Sequence, residues 1–416
     1  MANDCKSLYI VHGEPTGINK MTRLILFDGP YREHLLPLTY TRPVSELRTG
    51  ILTIREKWEK ILGLRASWLT LPYLQSMYPC STGSDNLLIS ASLLPDERLV
   101  DEIRALKTGE SLYVGGTFLA GRTDAENPDI LLQPGRKNGT DKKYEHPVRE
   151  IRYPWDLFVM NGEEIERDFR MLTKGRTSLP LPSGNRMLGD HPLFLEEGAV
   201  MECCTVNTRS GPVYIGKNAV VSEGSMIRGP FALGDRSEVR MGARIYENTS
   251  TGPRCKLAGE IVSSVILGYS NKSHEGFLGH SVLGEWCNLG ADTNTSNLKN
   301  NYASVKVWNY PSERFISTGL QMCGLIMGDH SKSGINTMFN TGTVVGVFSN
   351  IFGDGFPRNF IPSFSWGGAA GFQVYNLEKA LEVARIVMRR RDRELTGEEE
   401  SVLRHVFSQT TRFRKF

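Results

Sequence analysis

No apolar run in this 416-residue chain approaches the roughly 18 residues needed to span a bilayer, which excludes a helical membrane protein. Cysteine is sparse: seven residues, Cys5, Cys80, Cys203, Cys204, Cys255, Cys287 and Cys323. Their odd number and scatter exclude a disulfide framework, and no pair has metal-site spacing, so a reducing cytoplasm fits. Excess charge is also missing. A formal net charge of +3 is too small to signal a nucleic-acid partner. The basic run 388–391 with Arg393 reads as a solvated helix face. Residues 1–20 lack the basic-then-apolar order of a signal peptide and read as a disordered leader, with ordered structure opening at Met21.

What is present is a period of six. Ile215, Val221, Ile227, Leu233, Val239, Ile245, Thr251 and Leu257 stand in one register. Small residues recur four places on, at Ala219, Ser225, Ser237, Ala243, Thr249 and Cys255. Helices repeat at 3.6 residues and ordinary strands at 2. A sustained six belongs to a hexapeptide β-helix, where each short strand supplies one inward aliphatic and then turns a corner. Cys255 and Cys287 fall in small-residue slots, as apolar fillers. The repeat breaks over 260–276, resumes at Leu283 and Leu289, and returns at Ile335, Thr341 and Val347.

Before the repeat, strands at 24–27 and 86–90 alternate with helical patterns at 51–62 and 96–106, which predicts a layered α/β domain over 21–178. Residues 135–144 read as a polar loop and 153–172 as one helix. The Pro- and Gly-punctuated stretch 179–192 reads as a linker, followed by the β-helix over 193–368. In a helical tail, 369–416, Asn376 caps a helix over 377–391 and Thr396-Gly-Glu-Glu forms a capping box for another. That tail is expected to cover the open edge of the last coil.

Hexapeptide coils of this kind resemble the left-handed β-helix acyltransferases. The segment 276–301, Gly-Phe-Leu-Gly-His-Ser-Val-Leu-Gly-Glu-Trp-Cys-Asn-Leu-Gly-Ala-Asp-Thr-Asn-Thr-Ser-Asn-Leu-Lys-Asn-Asn, looks like one part of the bifunctional GlmU family. GlmU proteins combine N-acetylglucosamine-1-phosphate uridylyltransferase with glucosamine-1-phosphate acetyltransferase. The domain order also agrees, and a shortened GlmU-like variant found in Bacteroidetes is the nearer match. By this resemblance His274 is the general base and Asn297 lies beside the reacting group. A histidine pKa suits removal of an amine proton at neutral pH. Asn288 and Phe277, the latter replacing a family tyrosine, would contact the sugar. Arg240, Lys272 and Lys299 or Lys306 would grip its phosphate. Ala291, Gly334 and Gly353 would line the acetyl-CoA site. His280 is a rival base. A zinc site from His274, His280 and His330 would need a histidine spacing that is absent.

Toward the start, Leu36-Pro37-Leu38-Thr39-Tyr40-Thr41-Arg42-Pro43 resembles the signature after the glycine-rich loop of sugar nucleotidyltransferases, with Asp28-Gly29-Pro30 in the loop's place. The resemblance implies nucleotide contacts from Asp28, Gly29, Arg32, Arg42 and Arg48, and Mg²⁺ held by Asp28, Asp85 and Asn161. Two departures stand out. Val44 replaces a phosphate-neutralising lysine, and Ala91-Ser92 replaces a Gly-Asp whose aspartate holds magnesium.

The resemblance therefore implies a cytoplasmic homotrimer in sugar-nucleotide biosynthesis, acetylating glucosamine 1-phosphate from acetyl-CoA. Coupling of the product to UTP would follow if the first domain is active. Two alternatives are a nucleotidyltransferase for another sugar 1-phosphate, such as glucose 1-phosphate with dTTP, and a non-catalytic sugar-nucleotide binder.

Overall fold

The computed structural model describes residues 21–132 and 140–416. The leader read at 1–20, with Cys5, and the first part of the loop read at 135–144 lie outside the described residues. The amino-terminal domain is a six-stranded sheet: β1 (Arg23–Phe27), β2 (Ala66–Leu69), β3 (Asn86–Ser90), β4 (Glu110–Val114), β5 (Thr117–Thr123) and β6 (Thr140–Lys143), in the order β2-β1-β3-β5-β4-β6. β1 runs parallel to β2 and β3, while β5 is antiparallel to β3 and β4. Leu24 and Leu26 join a core with Trp58, and Ile25 and Phe27 a second cluster with Leu88 and Leu131. Burial on both sides explains why β1 reads as an unbroken apolar run.

Three local expectations change. Helix α1 (Ile54–Leu62) starts later than 51, behind a Thr53–Glu56 capping box, because the Ile51 and Leu52 amides donate to Asp168 instead. Residues 140–143, read as loop, form β6; its sequence Thr-Asp-Lys-Lys has no apolar face to announce a strand. After α2 (Glu97–Arg104), the helix read over 153–172 is two, α3 (Asp156–Val159) and α4 (Asn161–Thr173), meeting at Met160.

The repeat is a three-sided parallel β-solenoid, the β-helix expected from the sequence. The first face runs from Arg186–Leu188 to Phe277–Gly279, the second from Leu193–Leu195 to Phe360–Ile361, and the third from Val200–Met201 to Ser365–Gly368. The hexad aliphatics from Ile215 to Leu289 point inward and are buried. After the excursion the inward residues are Met327, Phe339, Val345 and Ile351, so the register read at Ile335, Thr341 and Val347 is shifted, and Ile335 is exposed. Arg186–Leu188 falls inside the stretch read as linker, so the solenoid begins earlier than 193. The apparent break near 260–276 is a shortening of corners, not of the stack: Thr251 pairs with Ile266 and Leu257 with Lys272. After Asn297 the chain leaves the stack in an excursion carrying an antiparallel hairpin, Lys306–Asn309 with Arg314–Ser317, and rejoins at Ile326.

The amino-terminal domain docks on the second face. Phe169 of α4 packs edge-on against Phe194 and Tyr214. Asn161 donates to the Asn248 carbonyl at 2.7 Å and accepts from Gly50 N–H and Ser250 hydroxyl. A Cβ on Gly162 would lie 2.1 Å from Asn248 Oδ1, so any larger residue would have to push the Asn248 side chain aside. Along the edge between second and third faces, left-handed corner residues Tyr269, Trp286, His330, Phe348 and Phe364 stack as a ladder of rings.

Helices α5 (Leu377–Arg389) and α6 (Gly397–Gln409) carry the expected Asn376 and Thr396 caps. They do not cover the solenoid's end. Arg391 reaches Asn271 and the Arg254 carbonyl, and His405 stacks on Tyr73 at 4.1 Å, so the tail runs between the ring ladder and the amino-terminal domain. The last coil is closed by an antiparallel strand, Gly371–Val374. No helix among the described residues is long and apolar enough to cross a membrane.

Candidate active site

Successive coils place Arg240, Ala258, His274, Ala291, Gly334 and Gly353 along one edge, where the third face turns into the first. The stacking is fixed by backbone bonds: Arg240 N–H to Leu257 O, Ala258 N–H to Lys272 O, Asn336 N–H to Ala291 O, and Gly334 N–H to Ile351 O. Five residues assigned from sequence, Arg240, His274, Ala291, Gly334 and Gly353, thus share an edge. His274 is exposed on it. Arg240 Nε is buried and lies 3.5 Å from Glu238 Oε1, an ion pair without hydrogen-bond geometry.

Lys272 does not reach a substrate. It occupies the inward ladder position between Leu257 and Leu289 and is 1 % exposed. Its Nζ donates to the carbonyls of His274 and Glu275, and burial pushes the ammonium down to about 8. Lysine at a core slot is costly unless its donors are met; here they tie down the corner that carries His274. Keeping the hexad register through the shortened coil would have shown Lys272 pointing inward.

The other assigned residues gather elsewhere. Phe277 opens the last strand of the first face, its N–H held by Asn294 Oδ1 at 2.8 Å. Across that face, at the edge between first and second, Asn297 Nδ2 meets His280 Nδ1 at 2.9 Å. His280 is half-buried, edge-on to Phe158 at 5.8 Å, and burial lowers its pKa. Asn297 is thus joined to His280 rather than to His274. Asn288 lies on the third face, accepting from Asn271. Lys299 and Lys306 follow Asn297 in the excursion, away from the His274 edge. His274, His280 and His330 occupy three different edges, and among the described residues no cluster of three metal-ligating side chains exists.

The nucleotide and metal assignments of the first domain meet a different outcome. Asp28, at the carboxyl end of β1, is spent on its own loop. Its Oδ1 accepts from Val44 N–H, and Oδ2 from Arg32 and Thr70. Burial raises its pKa, with Arg32 opposing. Arg32 also donates to the Thr39 carbonyl. Arg42 is buried against Asp329 and Glu285 of the solenoid, and Arg48 donates to the Ile51 carbonyl. Gly29 packs against Ser90, leaving a Cβ only 3.0 Å from its hydroxyl oxygen. Asp85 precedes β3, at the end opposite Asp28, paired with Arg122 and Thr22; the Arg122 hydrogen bond lowers its pKa. Asn161 is in the domain interface. Asp28, Asp85 and Asn161 therefore do not converge and do not fit Mg²⁺, which needs several oxygens around one point. Ala91 and Ser92 are buried, with Ser92 donating to Glu150. For Arg42 and Asn161 the partners lie far away in sequence and leave no signal in the motif, whereas Asp28, Arg32 and Arg48 are held by residues of their own segment.

The fold defines a two-domain protein, a layered α/β domain followed by a hexapeptide β-solenoid. Residues 24–177 match the family described as sugar nucleotidyl transferase. Parts of the chain are similar to GlmU-type proteins. The chain is 37% identical over 102 residues to the bifunctional protein GlmU of Methanocaldococcus jannaschii, covering 24% of this chain and 23% of that protein. Over 93 residues it is 36% identical to a bifunctional sugar-1-phosphate nucleotidylyltransferase/acetyltransferase of Sulfurisphaera tokodaii, covering 22% of this chain and 23% of that one. The GlmU of Methanococcus maripaludis is 27% identical over 233 residues, covering 53% of this chain and 46% of the relative. The chain thus spans about a quarter to a half of the length of these relatives.

Proposed function

We propose that the solenoid transfers an acetyl group from acetyl-CoA to the amine of an amino-sugar 1-phosphate, with glucosamine 1-phosphate as the substrate. One observation carries this reading: His274 stands exposed on the same edge as Ala291, Gly334 and Gly353, the positions assigned to the acetyl donor. There the imidazole takes the amine proton as the C–N bond forms and the C–S bond breaks, with the proton passing to the departing thiolate. Arg240, two coils earlier on that edge, supplies a cation for the phosphate. Lys272 holds the His274 corner from inside. A homotrimer through the open first face fits the exposed Met226 there, Met338 on the strand pair Asn294–Thr295 and Met338–Phe339 that follows it, and Met241 and Ile335 at its edge.

The test is thiol release with acetyl-CoA and glucosamine 1-phosphate. His274→Ala should slow it by about 10²–10⁴ with acetyl-CoA affinity little changed. The hydrogen bond from Asn297 favours a second reading, with His280 as the base. Loss of activity in His280→Ala but not His274→Ala would establish it. Full activity in both variants, or no acetyl transfer by the unmodified protein, would refute histidine catalysis or acetyl transfer respectively. A monomer by light scattering at micromolar concentration would refute the trimer. The first domain, with Asp28 spent and Val44 in place of a lysine, is proposed to be weak or inactive in nucleotidyl transfer. Pyrophosphate release at the order of 10 per second with Mg²⁺ and UTP or dTTP would refute that.

A further inference from the structure

A cavity of about 780 Å³ opens at the edge between first and second faces, beyond Asn297. Its walls come from four separated stretches. The excursion gives Lys299, the hairpin Lys306, Trp308 and Phe315, the last coils Arg358 and Phe360, and the chain end Lys415. Four cations line it. Its one carboxylate, Glu313, is drawn toward Arg412 at 3.4 Å. Lys306, Arg358 and Lys415 have no carboxylate partner among the described residues, and Lys299 donates only to the Ser304 carbonyl. Like charges gathered without counter-charge repel one another, and such a concave positive site concentrates anions.

The second half of the cavity is aromatic. Trp308 stacks on Phe360 at 4.2 Å and meets Phe315 edge-on at 5.5 Å. Phe315 is 42% exposed, an open ring surface. An anion alone would leave the rings unused, while a neutral planar ligand would leave the cations uncompensated. We infer that this cavity binds a nucleoside diphosphate moiety, its base against Phe315 and its two phosphates across Lys306, Arg358 and Lys415. Nucleotide sugars and coenzyme A both carry that moiety. The site lies across the first face from His274 and is independent of the acetyl-transfer reading.

Calorimetric titration of the full chain with UDP, uridine, pyrophosphate and coenzyme A tests it. UDP should bind, with uridine and pyrophosphate each at least tenfold weaker. Arg358→Glu with Lys415→Glu should weaken UDP at least 30-fold at an unchanged melting temperature. Phe315→Ala should weaken UDP more than pyrophosphate. Displacement of UDP by UDP-N-acetylglucosamine but not by coenzyme A assigns the nucleotide-sugar source; the converse assigns the coenzyme. No UDP binding at millimolar concentration, unchanged binding in the double reversal (which places it in the amino-terminal domain), or pyrophosphate binding as tightly as UDP would overturn the inference. Acetyl transfer is read separately by thiol release, so the two proposals fail independently.

Discussion

Replacing Arg42 separates two accounts of the Leu36–Pro43 segment. If its guanidinium served a nucleotide, Arg42→Met would cost affinity and little stability. In the structure the guanidinium is buried between domains against Asp329 and Glu285, with the Thr41 hydroxyl donating to the same Asp329 oxygen at 2.6 Å. Removing one partner of a buried pair costs about 3–5 kcal/mol because the other charge stays buried. Asp329 keeps two donors, Thr41 and the Glu285 amide at 2.8 Å, so we expect the lower end, about 3 kcal/mol. Urea unfolding should therefore show that loss in Arg42→Met. Much of it should return when Asp329→Asn is added. That change removes the stranded charge, while the new side-chain amide accepts from the Glu285 N–H and donates to the Thr41 hydroxyl. Equal stability of Arg42→Met and the parent within about 0.5 kcal/mol, the usual range of an uninvolved surface change, would refute the interdomain tie.

Other outcomes follow from single contacts. His330 is buried in the ring ladder between Trp286 and Phe348, and burial holds its pKa well below the ordinary 6.5. The unfolded chain therefore takes up a proton first, so stability present above pH 6.5 is lost as pH falls toward the lowered value. His330→Phe, which keeps the stacking, should flatten the stability profile between pH 6.5 and 5; an unchanged profile would refute this. Gly162→Val should drive a side chain into Asn248 and undock α4, seen as proteolysis between 174 and 184 in the folded chain; resistance equal to the parent would show that the interface relaxes. Lys272→Met should lower the acetyl-transfer rate more than acetyl-CoA affinity, because it frees the His274 corner while leaving the donor positions in place. An unchanged rate would show that the corner holds without it.

The solenoid was legible because its period is a property of neighbours in sequence: each hexad announces its own inward aliphatic. The α1 and tail caps were legible for the same local reason. Lys272 was misread where register was abandoned at the shortened corners, since polarity alone cannot say which way a side chain points. Arg42 and Asn161 were misread because their partners are distant, and Asp28 because sequence does not show that Arg32 and the Val44 amide fold back onto it. Arg42 and Asp329 are 287 positions apart, and no local pattern records that such a partner exists. Strand β6 and the excursion hairpin form mainly through pairing, with little period of their own.

The amino-terminal domain touches the solenoid at widely separated levels, from Phe194 and Tyr214 through Asn248 to Asp329. It therefore acts as a gauge laid along the stack. A repeat protein ordinarily tolerates gain or loss of a whole unit, since each unit needs only its neighbours. Between Tyr214 and Asp329 that freedom is gone: one added coil would move Asp329 a full strand spacing, about 4.8 Å, out of reach of Arg42. Beyond Asp329 the ties are indirect, through Tyr310 on Phe360 and Phe407 on Phe364, so drift in length meets a weaker gauge near the Gly371–Val374 strand than beneath the docked domain.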